Sequence, residues 1–354
     1  MHINMLYKVK LLRTLMLSSV MTMITLLTLM TFDPGGDDNG VATDIVDSNV
    51  TSHTGVWLEN SVTRVVMEPH RCGEEDIAVI IHSHARNSQM RASQRNAMRQ
   101  SGLDNIKPVF VVFRSDKDSD LVKEMEEESD LLMGDMEESY HHLVHKHLMG
   151  LRWVAGNCQN NLVIKMDDDI FVNFRAILEA ALRSAPASGL WMAGLLQVRL
   201  PVLRSEASKW AVTRGQWPGD RWPDFLSGWC YIIPGPGARS ILSVLETDTR
   251  LLWIDDVMIT GILADKAGME RISLNSAFTV YSEQMKCCAE NIEERCKYLV
   301  GPTDHDPELL DKIVHQDVKC RTSQSCRVTP GSGNCRVENP YFMAGEVIGE
   351  VIPL

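Results

Sequence analysis

The residues Leu162-Val163-Ile164-Lys165-Met166 run directly into Asp167-Asp168-Asp169, and Ile170-Phe171-Val172-Asn173 follow. An apolar run of that length reads as a buried strand. Three consecutive carboxylates at its end fall on the carboxyl edge of a sheet, where open α/β sheets take their ligands. Like charges at one edge repel, and two arrangements relieve them. A hard divalent cation, Mg or Mn, is held by a few carboxylates and completes its shell with water and phosphate oxygens. Alternatively the aspartates form a polar turn, with Asp169 capping a segment that starts near Phe171. Residue types alone leave these two readings level.

The same strand pattern appears at Ile77–Ile81 and Val109–Phe113, with helical patterns between the runs, which points to an α/β fold with a largely parallel sheet. The clearest helix is expected over about Ser139–Ala155, where Tyr140, Leu143, Val144, His147, Leu148, Leu151 and Val154 form one apolar stripe. His141 and His145 fall four apart on another face and could hold a metal, but a lone pair of that kind is ordinarily a solvated surface. Glu124, Glu126, Glu127 and Glu128 read as a solvated helix face.

Thr14–Phe32 contains no charged residue. At about 1.5 Å per residue this helix would reach roughly 28 Å, enough for one membrane crossing. Lys8, Lys10 and Arg13 precede it and Asp33, Asp37 and Asp38 follow, so the charge bias keeps the N-terminus cytosolic. The expected order is therefore a cytosolic tail (1–13), a signal anchor (14–32) and a polar luminal stem (33–70). A cleaved signal peptide is the competing reading, though no Ala-x-Ala site stands near Phe32. Asn49-Val50-Thr51 is a glycosylation acceptor that only luminal enzymes could modify.

Composition supports a folded luminal body. Hydrophobic residues make up 44% of the chain, too few for a multi-span transporter. The formal net charge of -12 disfavours nucleic acid as a partner, since no basic patch is segregated in the sequence. There are nine cysteines, six of them (Cys287, Cys288, Cys296, Cys320, Cys326 and Cys335) near the C-terminus. An oxidising compartment accounts for them as disulfides, with at least one thiol left over, and their spacing lacks the CxxC pairs of common zinc modules.

Around the aspartates, Lys165 to Asn173 resembles the Lys-x-Asp-Asp-Asp-hydrophobic-Phe-Val-Asn pattern of glycosyltransferase family 31, the inverting β-1,3-galactosyl- and N-acetylglucosaminyltransferases. Five further elements follow the family order between about Ser83 and Gly268. Arg95-Asn96-Ala97-Met98-Arg99 is similar to Arg-x-Ala-Ile-Arg, although Gly102 stands where a Trp is usual. Glu138-Ser139-Tyr140 resembles the Asp-Ser-Tyr that opens a helix, with Trp153 and Cys158 in matching places. Lys209-Trp210-Ala211-Val212 matches Lys-Trp-x-Val, and Trp222 to Gly228 resembles Tyr-Pro-x-Tyr-x-Ser-Gly. Asp255-Asp256-Val257 stands for Glu-Asp-Val.

The resemblance implies a GT-A-type nucleotide-sugar-binding fold, a Rossmann-like mixed sheet flanked by helices, spanning 71–285 and followed by a cysteine-rich extension at 286–354. It implies that Asp169 and Asp167 hold Mn2+, that Asp167 and Asp168 contact the nucleotide, and that Asp256 is the catalytic base beside Asp255. Arg95 and Arg99, four apart, could reach nucleotide or phosphate. Trp222, Phe225 and Trp229 around Ser227-Gly228 are either an acceptor platform or core. The implied reaction moves a hexose, galactose first among the candidates, from a UDP-sugar to a hydroxyl of a glycan, glycoprotein or glycolipid acceptor. The implied place is the Golgi membrane, as a single-pass type II protein, alone or as a homo- or hetero-oligomer.

Two departures bear on activity. Cys230 stands at the second Gly of Ser-Gly-x-Gly-Tyr, where a side chain would narrow a loop beneath the acceptor. The His that several members place 20–25 residues beyond the base has no counterpart near Val280-Tyr281-Ser282. These motivate the alternative of a catalytically silent glycan-binding or helper protein.

Overall fold

The computed structural model describes residues 58–322 except 60–61, 117, 159–161, 247–249 and 292, together with Cys326 and Cys335. The expected cytosolic tail, membrane span, most of the stem and Asn49 lie outside the described residues. Among the described residues no helix is long and apolar enough to cross a membrane.

The strands are β1 (Leu58–Glu59), β2 (Val65–Met67), β3 (Ile77–His82), β4 (Ile106–Arg114), β5 (Leu131–Glu137), β6 (Leu162–Asp167), β7 (Ile170–Val172), β8 (Trp191–Gln197), β9 (Phe225–Pro234), β10 (Arg250–Leu251), β11 (Glu270–Ser273) and β12 (Val300–Pro302). The helices are α1 (Ser88–Arg99), α2 (Asp118–Glu128), α3 (Leu143–Asn157), α4 (Phe174–Ser184), α5 (Gly235–Leu245), α6 (Ser282–Glu290) and α7 (Pro307–Thr322), with a π-helix at Val257–Leu263.

Eight strands form one mixed sheet in the order β11-β8-β9-β6-β3-β4-β5-β2. Its centre, β6-β3-β4-β5, is parallel, while β9 runs antiparallel to both β6 and β8. Strand β3 shows why the apolar run is continuous. Ala78 and Ile80 pack into one layer and Val79 and Ile81 into the other, so neither face has a polar side to offer. The reversal at β9 brings its start, Phe225 to Gly228, beside the carboxyl end of β6, and this junction positions the site.

The helix expected at 139–155 forms as a 3-10 turn, Tyr140–His142, leading into α3. Its buried surface is wider than one stripe and runs unbroken from Val144 to Leu151, because α3 lies between the sheet and α5. Gly150 permits that contact: a Cβ there would stand 2.8 Å from Ile80 Cγ2. In α2, Glu126, Glu127 and Glu128 are exposed as expected, whereas Glu124 turns inward to Arg91 and Arg95. The cap expected at Asp169 is instead at Asn173, whose side chain accepts from Ala176 N at 3.1 Å, because Ile170–Val172 is strand rather than helix.

The boundary expected at 285 is not a break in the fold. Helix α6 runs through it, β12 pairs antiparallel with β7, and α7 packs against α1 and α6. Leu309, Leu310, Ile313 and Val314 meet Met90, Ala97, Phe171 and Met285 in a third apolar cluster. The cysteines pair as Cys72–Cys158, Cys287–Cys335, Cys288–Cys296 and Cys320–Cys326, leaving Cys230 as a buried thiol. Of the expected one or more leftover thiols there is one, Cys230. It lies within β9 and packs with Ile164 and Met166, so the sequence-based picture of a constricted loop is replaced by a core strand position.

Candidate active site

A cleft with a cavity volume of about 1070 Å³ opens at the carboxyl edge of β3 and β6. Pockets for small ligands run from about 300 to 1,000 Å³, so this one stands at the upper end of that range. Asp167, Asp168 and Asp169 line one part of it, together with His305. Asp255, Asp256 and Gly228 line another.

The three aspartates are held in different ways. Asp167, at the end of β6, lies 2.8 Å from Lys165 Nζ. Asp168 turns inward, where Oδ2 accepts from Ser83 Oγ at 2.7 Å and from Asn87 Nδ2 at 3.0 Å. Its carboxyl is pushed above the ordinary range mainly by burial. Gln94 Nε2 donates to the backbone carbonyls of Asp168 and Ile170, fixing the turn from the side of α1.

Asp169 is fixed by the C-terminal segment. Its carbonyl accepts from Thr303 N at 2.8 Å and Thr303 Oγ1 at 2.7 Å. That clamp brings His305 Nε2 to 3.5 Å from Asp169 Oδ2 and His305 Nδ1 to 4.0 Å from Asp168 Oδ1. The turn is strained: Asp304 and His305 have φ of 53° and 56°, a region that residues with a Cβ enter at a cost. Burial and then the Asp167 charge push the Asp169 carboxyl up to about 6.

Across the cleft, Asp256 begins the π-helix. Oδ1 accepts from Val257 N at 2.8 Å and Oδ2 is 3.4 Å from Gly228 N. A Cβ on Gly228 would lie 3.1 Å from Asp256 Cβ, so the glycine lets the acid stand against β9. Burial and the neighbouring Asp255 charge push Asp256 up to about 7. Asp255 behaves oppositely. Burial alone would raise it, but the hydrogen bond and charge of His147, with Lys165, bring it below the ordinary range. His147 Nδ1 is 2.9 Å from Asp255 Oδ2, and its Nε2 is 2.6 Å from Tyr231 Oη.

Trp222, Phe225 and Trp229 all border the cleft, yet Trp222 and Phe225 are also buried members of a core cluster. They are core residues with an edge in the cavity. Ser227 is buried and accepts from Gln197 Nε2 at 3.0 Å. Four lining residues not singled out in the sequence as site residues complete this wall: Tyr140, Lys209, Trp210 and Trp253. Lys209 Nζ lies 4.5 Å from the Trp210 ring centroid and 5.8 Å from that of Tyr140, which places a cation among aromatic faces.

The arginine expectation is corrected. Arg95 is buried and pairs with Asp130 and Glu124 at 2.7 and 2.6 Å, while Arg99 is exposed; neither lines the cleft. The same helix instead supports the aspartates from below. Arg91 Nη1 donates to Ser83 Oγ at 3.0 Å, and Ser83 in turn donates to Asp168. Neither His141 nor His145 joins the one grouping of potential metal ligands among the described residues, which is Asp168, Asp169 and His305.

That grouping fits a divalent cation. Its three donor atoms all lie within 4.8 Å of one another, and two carboxylates with one imidazole are donors that divalent metals take. The set differs from the expected Asp169 and Asp167: Asp167 is not in it and pairs with Lys165 at 2.8 Å. It includes a histidine, His305, which lies 49 positions beyond Asp256 and so outside the 20–25 residues where the sequence pattern looks for one.

A family model described as galactosyltransferase matches residues 85–275. Beta-1,3-galactosyltransferase 1 of Mus musculus is 30% identical over 261 residues, covering 70% of this chain and 76% of that one. Lactosylceramide 1,3-N-acetyl-beta-D-glucosaminyltransferase B of Xenopus laevis is 29% identical over 220 residues, or 56% of this chain, which spans 57% of that relative. Among solved structures, the glycosyltransferase GlyE of Streptococcus pneumoniae TIGR4 superposes with a TM-score of 0.35 at 10% identity, over 73% of this chain and 66% of that one. With the family model matching over half of its length, and with motifs from Lys165 to Val257 in family order, this chain belongs to the galactosyltransferase family, glycosyltransferase family 31.

Proposed function

We propose that the protein is an inverting β-1,3-glycosyltransferase that moves a hexose from a UDP-sugar to a glycan hydroxyl, with galactose as the first donor to test. One observation carries this reading: a single cleft holds a candidate cation site at one part and, at another, a buried carboxylate poised near neutral pH. A general base works best when its pKa lies close to the working pH.

In the proposed step an acceptor oxygen forms a bond to the sugar's anomeric carbon while the bond from that carbon to the diphosphate breaks. The bonding pair leaves with UDP, and Asp256 takes the acceptor proton. Asp168, Asp169 and His305 would hold Mn2+, which supplies charge neutralisation at the departing diphosphate. Lys165 keeps Asp167 in place at the nucleotide side, and Tyr140, Trp210 and Trp253 offer apolar faces to sugar rings. Both reasons for the silent-helper alternative weaken here, because His305 stands beside Asp169 and Cys230 is in the core.

The proposed setting is the Golgi membrane in type II orientation, anchored through residues 14–32, with the GT-A-type domain luminal. The test is to incubate the detergent-solubilised full chain with UDP-sugars, Mn2+ and a panel of glycan acceptors, measuring UDP release and product linkage. Transfer with β-1,3 linkage is expected. No transfer from any donor, beside an active relative under the same conditions, would overturn the reading.

A further inference from the structure

Side chains from α3 and β9, His147 and Tyr231, meet behind Asp255. His147 is fully buried, and so is Tyr231. An ionised carboxylate has no proton to give, so the bond at 2.9 Å requires His147 Nδ1 to donate to Asp255. Nε2 of the neutral ring then carries a lone pair, and Tyr231 Oη at 2.6 Å donates to it. One proton arrangement satisfies all three groups, and it points both donors toward Asp255. Burial, outweighing the Asp255 bond, holds the His147 imidazolium below the usual range, in accord with a neutral ring.

We propose that His147, backed by Tyr231, is a positioning residue for the transfer reaction: it locks the Asp255 carboxylate, ionised and in one orientation, beside the base Asp256. This rests on the functional reading above. The fixed Asp255 charge keeps the neighbouring Asp256 basic enough to accept a proton from a hydroxyl. Other charged or titratable groups face this pair from the surrounding elements: Tyr140 before α3, Lys165 and Asp167 on β6, and His82 on β3 against the His147 ring. None of them hydrogen-bonds Asp255 as His147 does. The arrangement also sets the length of the acid, since a longer side chain at 255 would run into the imidazole already 2.9 Å from Oδ2.

The test compares the full-length wild type with His147→Phe and the milder Tyr231→Phe, which removes one oxygen from a buried ring. Two readouts are taken: kcat and KM against pH, and titration of the Asp255 and Asp256 carboxyl carbons by NMR. With His147 gone, Asp255 competes for the proton, so Asp256 loses the negative neighbour that made it basic. The expected result is a kcat lowered about tenfold or more, an unchanged KM for the donor, and an acid limb moved down by roughly half a pH unit or more. Tyr231→Phe should shift both in the same direction by less. Unchanged carboxyl titrations and an unmoved acid limb in folded Tyr231→Phe and His147→Phe would overturn the proposal. Wild type that transfers no sugar while its carboxyls titrate as described would overturn the functional reading alone.

Discussion

Replacing Asp256 with Asn should slow transfer sharply and stabilise the fold, and the second effect can be sized. The Asp256 carboxyl lies at about 7 against an ordinary 3.8. Its neutral form is therefore favoured by folding, and stability present below about pH 4 is lost as the pH rises through 7. A shift of about three pH units at about 1.4 kcal/mol each caps the loss near 4 kcal/mol. Water in the open cleft shares the field, so roughly half of that, about 2 kcal/mol, is expected as the gain from Asp256→Asn above pH 7. Asn keeps the acceptor for Val257 N and gives up only the long contact at 3.4 Å to Gly228 N. Thermal melts of both proteins from pH 4 to 8 should nearly coincide at pH 4 and diverge upward, reaching roughly 4 °C or more at pH 8. Transfer should fall about 10²- to 10⁴-fold. Parallel melting curves across the whole range, or an active Asn variant, would refute the assignment of a raised pKa and a proton-accepting role to this residue.

His305→Ala should weaken Mn2+ binding about tenfold or more, measured by calorimetry with the metal alone, and Asp169→Asn should weaken it further. Arg95→Ala leaves Asp130 buried without its partner and Glu124 with Arg91 alone, so it should cost about 3 kcal/mol in denaturant unfolding while leaving the KM for the donor unchanged. Gly228→Ala pushes a methyl to 3.1 Å from Asp256 Cβ, and should lower kcat with little change in melting temperature.

Much of the sheet is legible in the sequence because doubly covered strands need an apolar run, as Ile77–Ile81 of β3, Val109–Phe113 of β4 and Leu162–Ile164 of β6 supply. The carboxylates after β6 are legible for the same reason, since a strand that ends in charge ends at an edge. Partners set by tertiary contact are not. Whether an arginine on α1 faces solvent or Asp130 depends on where α2 and β5 come to rest, and helical spacing is silent about that. His147 fitted the apolar stripe of α3 by position, and only the approach of Asp255 and Tyr231 shows that it belongs to a polar network. Likewise the cysteine count predicts disulfides and an odd thiol, while the pairing needs the folded ends of α6 and α7.

The Thr303 clamp on Asp169 has a bearing on how the protein is made. The two residues are 134 positions apart, so the carboxylates leave the ribosome long before the imidazole that faces them. A nascent or truncated chain ending before residue 303 carries Asp168 and Asp169 without their third donor. The segment in between also contains Cys288–Cys296, which closes only when both thiols are oxidised. Assembly of the candidate cation site is thus tied to late synthesis, and an unfinished chain lacks the full set of donor groups.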